Sequence, residues 1–164
     1  MENPLIIYFS RADENYGVGY VKKGNTEYLA EFIQEATGAK MFKVEPLVPY
    51  AKDYLTCIKQ AKKEIDSNAR PAVKKMLDSI EEYDTIFIGA PVYWSYLPQP
   101  MVTVLEKLDW NDKTVRPFVT HEGSGLAQIP AQLSKLCKGA KVDRGIAIIG
   151  RNAKNARDDI EKWL

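Results

Sequence analysis

Hydroxyl and amide side chains gather in one stretch near the start of the chain, directly after an apolar run. Residues 10–26 have the sequence SRADENYGVGYVKKGNT, and a helical pattern follows them. The first N–H groups of a helix lack partners within the helix, and the helix dipole adds partial positive charge there. Asn25 and Thr26 at such a helix start therefore predict a site for a phosphate. The same two residues also suit an ordinary helix cap, so both interpretations stay open at this point.

The end of this stretch is close to a P-loop, the motif that binds nucleoside triphosphates. Residues 19–26 (GYVKKGNT) have the P-loop spacing, but Asn25 takes the place of the phosphate-binding lysine. A nucleoside triphosphatase is therefore disfavoured. Hydroxyl groups and backbone N–H groups can still hold a phosphate monoester without that lysine.

Two later loops carry residues that suit a flat ligand. Residues 90–98 (APVYWSYLP) place three aromatic rings among prolines, which favours stacking on a planar ring, although at least one of them is expected to pack against a helix. Residues 120–126 (THEGSGL) have glycines on both sides of Ser124, which allows close backbone approach. Alone, this last loop is more typical of a simple turn. Together, the three loops predict a site for a planar phosphorylated cofactor, and FMN fits best.

Five apolar runs alternate with helical patterns and would bring these loops together. The runs are residues 5–9, 40–44, 85–89, 115–120 and 145–149. Apolar residues at helical spacing between them predict helices, for example over residues 29–36, 54–65 and 129–136. Continuous apolar strands that alternate with helices indicate a parallel sheet covered on both faces, so we predict an α/β fold with three layers, an α/β/α sandwich. Ligands bind such sheets at the carboxyl ends of the strands, where all three loops lie.

Two segments do not fit this alternation. Residues 12–23 have no strong periodicity and are predicted to form an inserted loop. Residues 70–82 have a helical pattern that Pro71 interrupts, which leaves a helix or a loop with a short helix as alternatives.

Composition narrows the classes of function. The net charge is +1, and basic and acidic residues are interspersed along the chain. The sequence therefore contains neither a basic patch typical of nucleic-acid binding nor an acidic tail. The sequence has no secretion signal and no apolar run near 18 residues, so we expect a single domain over residues 1–164, located in the cytoplasm without a membrane span. Cys57 and Cys137 lack metal-site spacing and are expected to be buried free thiols.

These motifs, in this order, resemble the flavodoxin family, and more closely a flavodoxin-like branch related to NAD(P)H:quinone oxidoreductase flavoproteins. They are YFS at residues 8–10, GNT at residues 24–26, PVYWSYLPQP at residues 91–100 and GSG at residues 123–125. The resemblance covers nearly the whole chain. It implies a flavodoxin-like sheet of five strands in the order 2-1-3-4-5, with FMN between the first and third strands; flavodoxin is the type example of this arrangement.

The resemblance also implies which residues contact FMN. The residues near the phosphate would come from the first loop, although Arg11 is nearly as typical of an exposed loop arginine. Residues 91–95 would border the isoalloxazine ring, with Trp94 or Tyr93 stacked on it, and the last loop would reach the ring edge or the ribityl chain through backbone groups. The implied set is Ser10, Arg11, Asn25, Thr26, Pro91, Val92, Tyr93, Trp94, Ser95, Thr120, Glu122, Gly123, Ser124 and Gly125. His121 is expected near the ring without a catalytic role.

The chain departs from the usual flavodoxin pattern in three ways. Thirteen residues separate Ser10 from Gly24, so either the loop bulges and returns, or Asn15 and Tyr16 join or cover the site. The near-neutral charge differs from the acidic surface that steers many flavodoxins to basic partners. The loop beside the ring also lacks the glycine whose peptide flips to stabilise the one-electron reduced flavin in many flavodoxins.

Two functions follow from the resemblance. The first is an electron carrier that serves a redox partner protein through FMN. The alternative is an NAD(P)H-dependent FMN oxidoreductase acting on quinones, which implies a homodimer because such enzymes build the site between subunits. A phosphoacceptor domain is disfavoured, since Ser10, Ala90 and Thr120 stand where it needs an acid. A serine hydrolase is disfavoured because residues 122–125 do not match GxSxG.

Overall fold

A parallel sheet lies at the centre of the structure, a computed structural model that describes residues 3–164. The main sheet has the order β4-β1-β5-β6, and two short strands, β7 and β8, both pair with β6 in parallel. In chain order the elements are β1 (Pro4–Tyr8), β2 (Asp13–Asn15), β3 (Gly19–Val21), α1 (Asn25–Thr37), β4 (Lys40–Lys43), α2 (Tyr54–Asp66), β5 (Thr85–Pro91), α3 (Gln99–Leu105), β6 (Thr114–His121), α4 (Ile129–Leu136), β7 (Lys141–Val142), β8 (Ile146–Ile149), a 3₁₀ helix (Gly150–Asn155) and α5 (Arg157–Trp163).

The predicted α/β class is confirmed, and the number of strands differs from the prediction. Six strands form the main sheet instead of five, because a short strand that was not predicted, β7, precedes the predicted edge strand, which is β8. The break between β7 and β8 lies opposite Arg116 and Pro117 of β6. Since Pro117 has no N–H group, it cannot donate a hydrogen bond to an edge strand at that point.

Two apolar clusters cover the two faces of the sheet, which explains why its strands are apolar throughout. One cluster joins β1 and β5 to α3, α4 and the segment before β5. The other joins the sheet to α1, the 3₁₀ helix and α5. Cys57 and Cys137 are free and buried, as predicted. In the described part of the chain, no helix is long and apolar enough to cross a membrane.

The segment over residues 70–82 contains no helix, so neither helical alternative for it is correct. It runs across the sheet as irregular chain, with the Leu47 N–H donating to the Ala72 oxygen and the Lys74 N–H to the Glu45 oxygen. Ile80 belongs to the core, and Val73 and Leu77 pack against it. Pro71 disfavours helical conformation in the residue before it, and the apolar side chains reach the core without a helix.

The predicted inserted loop is wrong in one respect, because residues 13–21 form an antiparallel hairpin. β2 and β3 pair from Asp13 with Val21 to Asn15 with Gly19. Gly17 and Gly19 have φ values of 78° and 70°, which a tight turn requires and residues with a Cβ rarely adopt. Each strand has only three residues, too few for a period-2 pattern to be recognised.

Candidate functional site

A cavity of about 250 Å³ lies at the carboxyl ends of β5 and β6. Half of the residues expected in the site line it, and the others do not. The predicted residues in its wall are Asn25, Pro91, Val92, Tyr93, Trp94, Thr120 and Glu122. The structure therefore brings together the start of α1, the aromatic loop and the end of β6, at the edge of the sheet where the sequence predicted a ligand.

The predicted residues outside the wall lie around the start of α1 or in exposed loops. The Ser10 Oγ accepts a hydrogen bond from the Glu27 N–H at 3.0 Å and so caps α1 from the chain just after β1. Thr26 is buried, and its hydroxyl lies 2.8 Å from the Thr120 hydroxyl, which joins α1 to β6. Those in exposed or partly exposed loops, with no place in the cavity wall, are Ser95, Gly123, Ser124 and Gly125.

The long insertion after Ser10 returns to its starting point. A Cβ placed on Gly24 would lie 2.3 Å from the Ser10 Oγ and 2.4 Å from the Arg11 oxygen, so only glycine allows this approach. At the same time, Asn15 and Tyr16 of the hairpin line the cavity. Both expectations for the insertion hold: the chain bulges and returns, and the hairpin closes one end of the cavity.

Arg11 lies beneath the hairpin, away from the cavity wall, with 9% of its surface exposed. Its Nε–H donates to the Glu14 oxygen at 3.0 Å, and its Nη2 donates to the oxygens of Ala51 and Lys52 at 2.9 and 2.8 Å. The Glu14 carboxylate accepts from the Tyr54 N–H at 2.6 Å. These contacts, which we call the Arg11 latch, hold the hairpin against the start of α2.

Helix α2 forms a wall of the cavity that sequence reasoning missed. Its wall residues are Tyr54, Cys57, Ile58 and Ala61. The apolar stripe of this helix predicts the helix correctly, but such a stripe looks the same whether it faces a core or a ligand. Only Cys57 and Ala61 of α2 are buried, so the stripe is covered incompletely by protein.

Trp94 stands beside α2 in a tight turn. Its Nε1–H donates to the Ile58 oxygen at 2.8 Å, its ring is 48% exposed, and the Lys62 ammonium lies 5.9 Å from the ring centroid. Trp94 and Ser95 have φ values of 50° and 77°, and Tyr93 and Tyr96 exchange two backbone hydrogen bonds around them. Two adjacent left-handed residues with side chains are costly, and such strain is typical of functional loops.

Tyr93 is the aromatic residue of this loop that packs into the core, as expected for one of the three. Its ring contacts Phe9 and Tyr50 edge to face. Among the described residues its buried hydroxyl has no hydrogen-bonding partner, although it lies beside the weakly accepting thiol of Cys57. Burial raises the pKa values of both the Tyr93 hydroxyl and the Cys57 thiol, so both stay protonated.

The last residue of β6 adds an imidazole to the cavity, and the loop that follows adds a carboxylate. A Cβ on Gly150 would lie 2.4 Å from a Glu122 carboxylate oxygen and 2.6 Å from the Asn25 Nδ2, so these two groups meet above Gly150 near the start of α1. Desolvation at the cavity edge raises the pKa of Glu122, and Arg151 partly opposes this. His121 also lines the cavity, and burial lowers its pKa.

A second cavity of about 320 Å³ adjoins the start of α1. Asn25 lines both cavities, and the second is bordered by the cations Lys23, Arg151 and Lys154. Lys23 is paired with Glu31 at 2.8 Å. Arg151 and Lys154 thus add positive charge beside the helix end that already carries the positive end of the dipole, which favours an anion nearby.

The combined arrangement suits a planar, partly apolar molecule with an anionic tail. Aromatic and aliphatic side chains would cover the flat part, while the first turn of α1 and its cations would face the charge. Among residues 3–164, no group of three His, Cys, Asp or Glu side chains is placed to hold a metal ion.

Comparison with known proteins agrees with this fold. The structure is similar to a protein from Bacteroides uniformis that is provisionally named a flavoprotein, with a TM-score of 0.78, 27% identity and coverage of 98% of this chain and 96% of that one. A second provisionally named flavoprotein, from Bacteroides eggerthii, has a TM-score of 0.78 and 26% identity, and the alignment covers 99% of this chain and 95% of that one. A flavoprotein from Lactobacillus acidophilus, solved in complex with FMN, has a TM-score of 0.68 and 21% identity, with 94% and 98% covered.

Sequence comparison gives the family directly. No curated protein matches the chain. The sequence model of the flavodoxin family matches residues 16–164, which is most of the chain and includes the aromatic loop and the glycine loop. The structural comparison also identifies flavoproteins, and this chain belongs to the flavodoxin family.

Proposed function

We propose that the cavity holds FMN without a covalent bond and that the protein transfers electrons through it. The observation that carries this proposal is the wall formed by α2. Its apolar stripe lines the cavity, and a flat ring placed there would complete the burial of the partly exposed Ile58. Bound FMN would supply the redox chemistry, and the protein would supply binding, orientation and the electrostatic surroundings.

The residues present fit this cofactor at both ends. Val92, Trp94 and Ile58 offer apolar surface for the ring, and the buried Tyr93 hydroxyl has only the weakly accepting Cys57 thiol beside it among residues 3–164. Near the start of α1, the N–H groups of the first turn and the side chain of Asn25 would hold the phosphate. The FMN complex of the Lactobacillus acidophilus flavoprotein, which shares the fold, supports this assignment.

Two kinds of electron partner are consistent with the surface. An exposed apolar rim that includes Tyr16, Leu55 and Trp94 would suit a redox protein that docks over the cavity, since such a surface marks interaction sites. The alternative is a reductase that takes electrons from NAD(P)H and passes them to quinones. The net charge of +1 is compatible with the reductase, because a small substrate does not need a strongly acidic protein surface to guide it to the site.

Anaerobic reduction of the flavin-loaded protein separates the two candidates. The protein would be incubated with FMN, desalted and titrated with dithionite and, in a parallel sample, with NADPH. A carrier retains the flavin and is reduced by dithionite but not by NADPH. Bleaching by NADPH, with recovery on adding a quinone, would support the reductase, and loss of all flavin on desalting would contradict both.

Removing the Trp94 ring is expected to weaken flavin binding strongly. An aromatic ring that stacks on a flat heterocycle contributes about 1–3 kcal/mol, so Trp94→Ala should raise the Kd for FMN by about 5- to 150-fold. Tyr96→Ala is the matched control, because Tyr96 is exposed in the same turn but does not line the cavity. Equal Kd values for the two variants in a fluorescence titration would show that Trp94 does not contact the ring.

Neutralising Glu122 is expected to tighten the binding of FMN but not of riboflavin. The Glu122 carboxylate lies beside Asn25 near the proposed phosphate site, where it repels a dianion. Glu122→Gln should lower the Kd for FMN by about three- to fivefold at pH 8, the size of a partly solvated charge interaction. Riboflavin has no phosphate and serves as the control ligand. A change of the same size for both ligands would place Glu122 away from the phosphate.

A further inference from the structure

His121, which ends β6, turns its side chain back onto the loop that follows. Its Nδ1 accepts hydrogen bonds from the N–H groups of Gly123 and Gly125, at 2.9 and 3.1 Å. A ring nitrogen that accepts hydrogen bonds carries no proton, so the ring is neutral and its proton is on Nε2. The contacts of this one side chain therefore define its tautomer.

The conformation of the glycine loop depends on this one nitrogen. Gly123 and Gly125 have φ values of 131° and 64°, both in the region that favours glycine, and their N–H groups converge on the His121 Nδ1. The Ser124 hydroxyl donates only within the loop, to the Gly125 oxygen. The imidazole nitrogen thus accepts the hydrogen bonds of two N–H groups that backbone oxygens would accept in a regular turn.

The same residue borders the cavity. His121 lies in its wall between Thr120 and Glu122, and Nε2–H is the ring donor that the loop does not use. We propose that His121 is a positioning residue for the flavin site: its neutral ring fixes the glycine loop through Nδ1 and presents Nε2–H as a donor to the bound flavin. This inference rests on the proposed function, since it needs the flavin in this cavity.

Protonation of the ring would undo the arrangement. In the imidazolium both nitrogens are donors, so Nδ1–H would face two N–H groups and the loop would be released. The negative charge of Glu122, the next residue, would favour protonation of the imidazole. The positive charge of Arg151, in the 3₁₀ helix, partly offsets that of Glu122. Three further groups facing the cavity, Tyr54 and Cys57 of α2 and Tyr93 of the aromatic loop, have raised pKa values and are neutral between pH 5 and pH 8.

The sign of the pH dependence follows. Burial lowers the pKa of His121 below its ordinary value of 6.5, so the unfolded chain binds the proton more readily than the folded one. The contribution of the neutral ring is complete above pH 6.5 and is lost as the pH falls through the lowered pKa. If only the neutral ring supports binding, the Kd for flavin should rise by up to about tenfold for each pH unit below that pKa.

The test compares flavin binding from pH 5 to pH 8 in the natural protein, His121→Asn and His121→Gln. The Asn side chain can place an oxygen close to the position of Nδ1 and does not titrate, so it should keep the loop and show a flatter pH profile. The Gln side chain instead places its polar group near the position of Nε2 and should bind weakly at every pH. Riboflavin is the probe, because it has no phosphate that titrates in this range. Since Glu122 is the same in all three proteins, its titration cancels in the comparison.

A second readout needs no flavin. In the ¹⁵N spectrum of the ligand-free natural protein, the His121 Nε2 should carry the proton, and the amide signals of Gly123 and Gly125 should shift together as the ring titrates. A proton on Nδ1, or the same pH profile for the natural protein and His121→Asn, would overturn the inference. Absence of flavin binding with the expected tautomer would instead contradict the proposed function, so the two failures are distinguishable.

Discussion

Replacing Arg11 with alanine is expected to lower the free energy of unfolding by about 3 kcal/mol and to weaken FMN and riboflavin binding equally. The Arg11 guanidinium is nearly buried and donates to the backbone oxygens of Glu14, Ala51 and Lys52. Its removal leaves these oxygens without their charged donor and loosens the hairpin, which the contacts of Glu14 with Lys52 and Tyr54 still hold against the start of α2. Because both elements line the cavity, the Kd for either flavin should rise by at least about tenfold. Urea unfolding and fluorescence titration measure the two effects.

The comparison of the two flavins separates the latch from a phosphate contact. If Arg11 bound the phosphate, as the resemblance to flavodoxins implies, Arg11→Ala would weaken FMN binding and leave riboflavin binding unchanged. Arg11→Lys is the matched variant, since lysine keeps the charge but lacks the planar fork that reaches two elements at once. A latch predicts that the lysine variant is also destabilised. A lysine variant with natural stability and natural FMN affinity would contradict the latch.

Filling the cavity from α2 is expected to abolish flavin binding while the fold is retained. Ala61 is 3% exposed and lies in the wall, so Ala61→Phe would place a ring in a space of about 250 Å³. The Kd for FMN should rise by at least about 100-fold, while the thermal unfolding midpoint should change little, because the new ring fills existing apolar space. Lys59→Phe, on the exposed side of the same helix, should bind FMN normally. Normal binding by Ala61→Phe would place the flavin elsewhere.

The sequence was sufficient for those parts of the fold that depend on local patterns. Apolar runs predicted the strands because both faces of the sheet are covered. The same holds for the cavity residues at or just beyond the ends of strands, such as Thr120 in β6 and Trp94 after β5. Their position at the carboxyl end of the sheet follows from the topology alone.

Other parts of the site depend on contacts between distant residues, which local patterns do not contain. The partners of Arg11 at Ala51 and Lys52 are about forty residues away, so its burial could not be recognised. The stripe of α2 predicted a helix but not the surface that it covers. The hairpin strands were too short to show periodicity. The bonds of His121 are local, but they need two glycines in left-handed conformations that the sequence only permits.

The most direct test of the proposed cofactor site is an equilibrium titration of the flavin-free protein with FMN, followed by flavin fluorescence and visible absorption. The structure predicts saturable binding of one FMN per chain with a shifted flavin spectrum, lost in Ala61→Phe and kept in Lys59→Phe. Absence of saturation up to millimolar FMN, or binding that Ala61→Phe does not alter, would contradict the assignment of this cavity as the flavin site.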